Sequence, residues 1–291
     1  MKIVIIGSKG QLGSDCCKIL AKDNDITACD IPQIDIGSQE SVDTYLNAIT
    51  PDSIINCAAY TAVDACEDEL QLSWKVNAEG PKHLAKAADR LGSRLIHVST
   101  DYVFDGHKKP PGAYIETDPT NPLSQYGKSK LAGEEAVAQY ASRYVTLRTA
   151  WLYSASGPNF LKTMLRLAVA DPDRELKVVN DQYGSLTWSF SLAEQIKNIL
   201  HSDINGIVHT TAEGYSTWYE GARYFLDTIG VPYTMKPCTT KEYPTPAHRP
   251  ANSILENKAL KDAKLSTFRT WQEDIDKCIA ENWEQLLAEA G

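Results

Sequence analysis

The stretch KIVIIGSKGQLGSDCCKIL, Lys2–Leu20, decides the architecture. KIVII is an apolar run with no polar alternation, as a strand buried on both faces requires. GSKGQLG follows, with Gly7, Gly10 and Gly13 spaced G-x-x-G-x-x-G, and a helical pattern, QLGSDCCKILAKD, follows that. Glycines at a strand-to-helix junction allow a tight turn. They also let the backbone approach a pyrophosphate, whose charge then meets the helix N-terminus. The spacing differs from the common G-x-G-x-x-G fingerprint, and a turn that binds nothing fits it as well. Its place at the first strand–helix junction favours a nucleotide site.

The same alternation continues outward. DITAC, DSIINCA, RLIHVST and YVTLRTAWLY read as strands. SQESVDTYLNAI, QLSWKVNAEGPKHLAKAADRL and PLSQYGKSKLAGEEAVAQYA read as helices between them. Apolar strands separated by helices predict an α/β fold, a doubly wound parallel sheet of Rossmann type with right-handed crossovers. Beyond about Trp151 the rhythm loosens. PNFLKTMLRLAVA, SFSLAEQIKNIL, STWYEGARYFLDTI (Ser216 as N-cap) and WQEDIDKCIAENWEQLLAEA predict helices, whereas PYTMKPCTTKEYPTPAHRPANS reads as an irregular proline-rich loop. The reading assigns a dinucleotide-binding domain to 1–150 with part of 170–205. A smaller, partly interleaved substrate-binding domain takes most of 151–169 and 206–291.

Composition narrows the function. The 291 residues are 43% hydrophobic and 23% charged, ordinary for a globular chain, and the net charge of −9 with no basic stripe argues against nucleic acid. No apolar run approaches a bilayer span, and the first residues lack the pattern of a cleaved signal, so a cytoplasmic protein with no membrane contact is expected. The seven cysteines show no C-x-x-C pair and read as reduced thiols.

Candidate chemistry gathers at predicted strand ends. Asp30, after the second strand, is placed to accept hydrogen bonds from a ribose, which favours NAD, while Lys9 in the glycine loop suits a 2′-phosphate; the choice stays open. Asp35–Ile36 is placed to flank an adenine, though Asp35 serves a turn equally well. Ser99, Thr100 and Asp101 end the strand RLIHVST at the carboxyl edge of the sheet. Tyr126 and Lys130 share one face of the next helix, a spacing that chance alone supplies in a chain with 14 tyrosines. Their setting is what gives the pair meaning. A carbonyl receiving hydride becomes an alkoxide, which needs a proton and a hydrogen-bond donor. Tyr126 is the candidate acid, with Lys130 expected to lower its pKa and Thr100 to hold the oxygen. Asn77 in KVNAEG is a candidate brace or simply a polar helix residue.

The segments GSKGQLG, NCAAYTAVDACE, HVSTDYVFDG, ETDPTNPLSQYGKSKLAGE, RTAWLYS, VVNDQYGSLT and TPAHRPANSIL resemble the extended short-chain dehydrogenase/reductases, and within them the dTDP-4-dehydrorhamnose reductase family. The resemblance implies reduction of the 4-keto group of a dTDP-sugar, dTDP-4-dehydro-L-rhamnose, with NADPH or NADH, for surface polysaccharide synthesis. It gives Tyr126 the acid role, Lys130 the ribose and Thr100 the keto oxygen. Asp101 and Trp151 would touch the sugar nucleotide, and Arg249 its diphosphate, although on the residues alone Trp151 reads better as a core aromatic at a strand end and a surface ion pair explains Arg249 nearly as well. Gly10, Gln11 and Leu12 would line the pyrophosphate, with Gly7, Gly13, Asp30, Asp35, Ile36, Cys57, Ala58 and Ala59 around the rest of the cofactor. The chain departs from the family at Leu186, where proline is expected, and at Phe190, where some relatives carry an acidic residue for a magnesium-linked dimer. Asp15 remains, but no metal is expected, and a monomer or homodimer is left open. The alternatives are another nucleotide-sugar reductase or epimerase of the superfamily, or a non-catalytic regulatory subunit of the same fold.

Overall fold

The computed structural model describes residues 1–291. The strands β1 (Lys2–Ile6), β2 (Asp25–Cys29), β3 (Ser53–Asn56), β4 (Arg94–Thr100) and β5 (Tyr144–Thr149) are joined by the strand Gly206–His209. They form one six-stranded sheet, in the order Gly206–His209, β5, β4, β3, β1, β2, and every pairing is parallel. The expected doubly wound sheet is therefore present. Neighbouring β1 residues serve opposite faces. Ile3 and Ile5 pack against α1 (Gln11–Leu20) and the helix Ser189–Leu200, while Val4 and Ile6 belong to the core formed with α2 (Gln39–Ile49) and α4 (Gly80–Leu91). Burial on both sides is why the strand sequences show no alternation.

The long helix expected over 71–91 is interrupted. A short α3 (Leu70–Trp74) passes through a π-turn at Lys75–Glu79 into α4. The helix α5 (Gln125–Tyr140) starts at Ser124, whose hydroxyl accepts from the Gly127 amide, and α6 (Phe160–Ala170) is capped in the same way by Asn159. No helix is long and apolar enough to cross a membrane, and all seven cysteines are free thiols.

Four expectations change. The strand foreseen through Tyr153 stops at Thr149, because Trp151 turns the chain with φ +48° and sends Leu152–Tyr153 to pair with Thr187–Trp188. The cap of helix Trp218–Ile229 is Thr217, not Ser216. Thr217 accepts from the Glu220 amide, and Glu220 returns the bond to the Thr217 amide. Within the loop foreseen over 232–253, Thr234–Cys238 pairs in parallel with Glu175–Val179. Pro237 hid that strand, yet a proline is tolerated because a two-stranded sheet is all edge. Finally, Gly206–His209, read from the sequence as part of the substrate side, extends the central sheet. The remaining substrate-side segments close a second core around Leu161, Leu165, Trp188, Phe225, Leu226 and Ile275.

The glycine turn is the tightest point. Gly7 has φ +78°, and a Cβ there would lie 2.7 Å from the Ala58 amide nitrogen. At Gly13 a Cβ would lie 2.1 Å from the Gly7 carbonyl oxygen. Backbone offers no easy escape, so Gly13→Ala should cost at least the ~1–3 kcal/mol of an overpacked core. Urea unfolding measures this as a lowered midpoint; an unchanged midpoint would contradict the packing described.

Candidate active site

A cleft of about 1260 Å³ opens beyond the carboxyl ends of β1, β3 and β4. It exceeds the ~300–1,000 Å³ of a site for one small ligand. Along one wall lie Gly7, Gly10, Gln11, Leu12 and Gly13, with Asp30, Asp35 and Ile36 beyond them and Cys57, Ala58 and Ala59 beside them. Thr100, Asp101, Tyr126, Lys130, Trp151 and Arg249 line the same cleft. Residues scattered from Gly7 to Arg249 thus meet in one space.

Several of them already have partners. The Asp30 carboxylate accepts from the Lys9 amide at 3.2 Å, so the two conflicting cofactor cues lie side by side. Asp35 serves its turn by accepting from the Gly37 amide at 2.9 Å, and it pairs with Lys75 at 3.1 Å. Ile36 is buried. Arg249 forms the ion pair that competed with its ligand role, reaching Asp64 at 2.9 Å while donating to the Tyr102 hydroxyl at 3.1 Å. Asn77 sits in the π-turn outside the cleft. It clasps the Tyr60 backbone through its side-chain oxygen and nitrogen (2.8 and 3.0 Å) and donates to Ser129 on α5. It braces the cleft wall through Tyr60. Such π-turns recur at functional sites.

At the centre, Thr100 ends β4 and opens a short 3₁₀ turn, Asp101–Val103. Its hydroxyl donates to the Asp101 carboxylate at 2.9 Å and accepts from the Tyr102 amide at 3.2 Å. Tyr126 packs edge-on against Tyr102 with ring centroids 5.4 Å apart. Gly127 permits this approach, since a Cβ there would lie 2.3 Å from the Tyr102 carbonyl oxygen. Burial pushes the Tyr126 phenol up, a hydrogen bond with Thr100 partly offsets this, and the nearby Asp101 adds to the rise. Burial likewise raises Asp101 to about 6, opposed by hydrogen bonds from Ser253 and Thr100.

Lys130 departs from expectation. Its ammonium donates to the Val98 carbonyl at 2.6 Å, and burial lowers its pKa to about 8, with Glu134 acting in the opposite direction. The expected lowering of the Tyr126 pKa by Lys130 is therefore corrected: burial dominates, and the phenol is held protonated.

The sequence reading passed over Glu134, Arg148 and, as a bonded group, Ser99. Glu134 accepts from Ser99 at 2.5 Å and from Arg148 Nη2 at 2.6 Å and Nε at 3.0 Å. Both charged side chains are buried. An arginine inside the apolar strand YVTLRT and a glutamate one turn past Lys130 were the available signals. No three His, Cys, Asp or Glu side chains are grouped in this chain. Asp15 instead accepts from Ser189 at 2.5 Å and Ser154 at 3.3 Å, while Phe190 stacks on Trp188. Leu186, in place of the family proline, packs over Gly221.

A parallel doubly wound sheet with a glycine turn after β1, and with a threonine, tyrosine and lysine around the carboxyl end of β4, defines an extended short-chain dehydrogenase/reductase. The model of the family described as RmlD substrate binding domain matches residues 1–283. A dTDP-4-dehydrorhamnose reductase of Burkholderia thailandensis is 38% identical over 96% of this chain and 98% of its own. Among solved structures, a dTDP-4-dehydrorhamnose reductase from Clostridium acetobutylicum superposes with a TM-score of 0.94 at 40% identity, covering 97% of this chain and 100% of that one. The Bacillus anthracis enzyme of the same name, solved in complex with NADP, gives 0.93 at 34% identity over 97% of this chain and 100% of its own. The chain belongs to the RmlD substrate-binding-domain family, which these reductases represent, and it is an oxidoreductase.

The buried ion pair generates a prediction. Glu134→Ala leaves Arg148 charged and uncompensated in the core, at a cost of ~3–5 kcal/mol. Denaturant unfolding checks this; a loss no greater than that of an exposed ion pair, ~0–1 kcal/mol, would show that the pair is solvated.

Proposed function

We propose that this protein reduces the 4-keto group of dTDP-4-dehydro-L-rhamnose to dTDP-L-rhamnose, with NADPH or NADH as reductant. The observation that carries the reading is the meeting of Thr100, Tyr126 and Lys130 in one cleft with the glycine turn. The curated relatives of that name and the NADP-bound neighbour support the substrate and the cofactor class.

The cleft wall fits a dinucleotide. Bare backbone at Gly7, Gly10 and Gly13, at the N-terminus of α1, suits a pyrophosphate. A nicotinamide cofactor held there would supply the hydride. The Tyr126 hydroxyl delivers a proton to the former carbonyl oxygen. A phenol whose pKa burial has raised is protonated at neutral pH, as a donor must be. The Thr100 hydroxyl turns its proton from the Asp101 carboxylate to the same oxygen and holds it as negative charge builds there. Lys130 holds the ribose hydroxyls with its ammonium, and Asp101 and Trp151 orient the sugar across the cleft.

Tyr126→Phe removes the proton and keeps the ring packed on Tyr102. Turnover of the sugar nucleotide, followed by loss of reduced nicotinamide absorbance, should fall ~10²–10⁴-fold while dinucleotide affinity is kept. Unchanged turnover would overturn the acid role.

Lys130 yields a pH test. Its folded pKa lies below the ordinary lysine value, at about 8, so the ammonium is present below that pH and lost as pH rises through it. Dinucleotide affinity should therefore fall as pH rises through about 8, and Lys130→Met should bind weakly with no such step. A wild-type affinity flat across that range would remove the ammonium from the binding account.

A further inference from the structure

The segment Asn180–Gly184, NDQYG, has no part in the chemistry above, yet it and Trp218 enclose Trp151. The Trp151 indole stacks on that of Trp218 with ring centroids 3.7 Å apart and planes 13° from parallel. Phe160, the first residue of α6, meets Trp218 edge-on at 4.7 Å. The other boundary is Gly184, where a Cβ would lie 2.5 Å from Trp151 Cε2. Trp218 is itself fixed. Its indole nitrogen donates to Gln182 at 3.2 Å, and Gln182 donates to Thr240 at 3.0 Å. Trp218 also opens a helix whose cap, Thr217, donates to Asn180 at 2.6 Å. All three aromatics line the cleft.

Trp151 needs this support. Its φ of +48° is a backbone state that bulky residues rarely hold unless their surroundings enforce it. A half-buried indole on a turn between two short strands would otherwise have several rotamers available. The stack and the missing side chain at Gly184 leave it one slot.

We propose that Trp218 is a positioning residue for sugar-nucleotide binding: it holds the Trp151 indole against Gly184, so that Trp151 presents a fixed edge to the substrate side of the cleft. The inference rests on the reading that a sugar nucleotide binds beside Trp151, and it adds the residue that sets that wall. Dinucleotide binding, at the glycine turn and Lys130, touches neither Trp218 nor Gly184 in this reading and is expected to be kept.

The test compares wild type with Trp218→Leu, Trp218→Phe and Gly184→Ala. Near-ultraviolet circular dichroism reads the paired indoles without any ligand. Calorimetry reads affinity for dTDP-L-rhamnose and, separately, for NADPH. The Trp218 variants should lose the coupled-indole signal. Trp218→Leu should weaken dTDP-L-rhamnose binding about tenfold, and Trp218→Phe, which keeps a ring on Trp151, by less. Gly184→Ala should weaken it in the same direction by displacing the indole. NADPH affinity and the melting temperature should stay close to wild type in Trp218→Phe. Loss of the dichroism signal with unchanged dTDP-L-rhamnose affinity would overturn the proposal. So would a parallel loss of both ligands, which would mark a general structural defect. A wild type that binds dTDP-L-rhamnose but does not reduce dTDP-4-dehydro-L-rhamnose would defeat the reaction assigned above and leave Trp218 to be judged on binding. A wild type that binds no dTDP-L-rhamnose would defeat both.

Discussion

The buried pair of Arg148 and Glu134 is the interaction on which the centre of the molecule depends. It joins β5 to α5, and through Ser99 it joins both to β4. Those elements carry Thr100, Tyr126 and Lys130. A buried ion pair adds little net stability over a well-packed apolar substitute, because desolvation consumes most of the attraction. Its value lies in geometry, since a charged fork tolerates little sliding. The same carboxylate opposes the loss of charge on Lys130, one helical turn away, which burial alone would push further. Arg148 also lies over the Phe104 ring at 5.1 Å, below the turn that Thr100 opens. One pair thus sets both the register of α5 on the sheet and the charge of the lysine it presents.

On this frame the cleft divides into two walls of different character. The dinucleotide side is backbone: glycine turns, a helix N-terminus and small residues at Ala58 and Ala59, with the Asp30 carboxylate bound to the loop amide of Lys9. The rest of its lining is side chain, including stacked indoles and the Arg249–Asp64 pair. Backbone suits a ligand shared across a superfamily, and side chains suit the part of a substrate that distinguishes one reductase from another. Between the walls, burial raises the acid and lowers the lysine. A reductase needs a phenol that keeps its proton until charge develops on the substrate oxygen. An ordinary phenol already does so at neutral pH, and burial widens that margin.

Much of this was legible in the sequence, for identifiable reasons. KIVII coincides with β1 because a strand buried on both faces is apolar, and RLIHVST coincides with β4 through its Leu-Ile core although Arg94, His97, Ser99 and Thr100 are buried polar residues. Tyr126 and Lys130 were legible once RLIHVST put Thr100 at the sheet edge. What stayed hidden depended on contacts distant in sequence. The break at Trp151 comes with contacts to Trp218 and Gly184 far along the chain, and nothing in RTAWLY announces it. Thr234–Cys238 carries a proline that argues against a strand until its lone partner is known. Ser216 and Thr217 are both good caps, and the choice falls on the one with Glu220 three residues ahead. Tyr126 was expected to be tuned by its helical neighbour, but its surroundings come chiefly from β4 and the turn after it.

The central claim is that hydride passes directly to the sugar carbonyl carbon while the protein supplies the proton. NADPH carrying deuterium at both positions of nicotinamide C4 tests this most directly, with dTDP-4-dehydro-L-rhamnose as acceptor in ordinary water. The account predicts dTDP-L-rhamnose with a single deuterium, located at C4 by nuclear magnetic resonance, and none at its hydroxyl positions. A product free of deuterium, or labelled at another carbon, would contradict it.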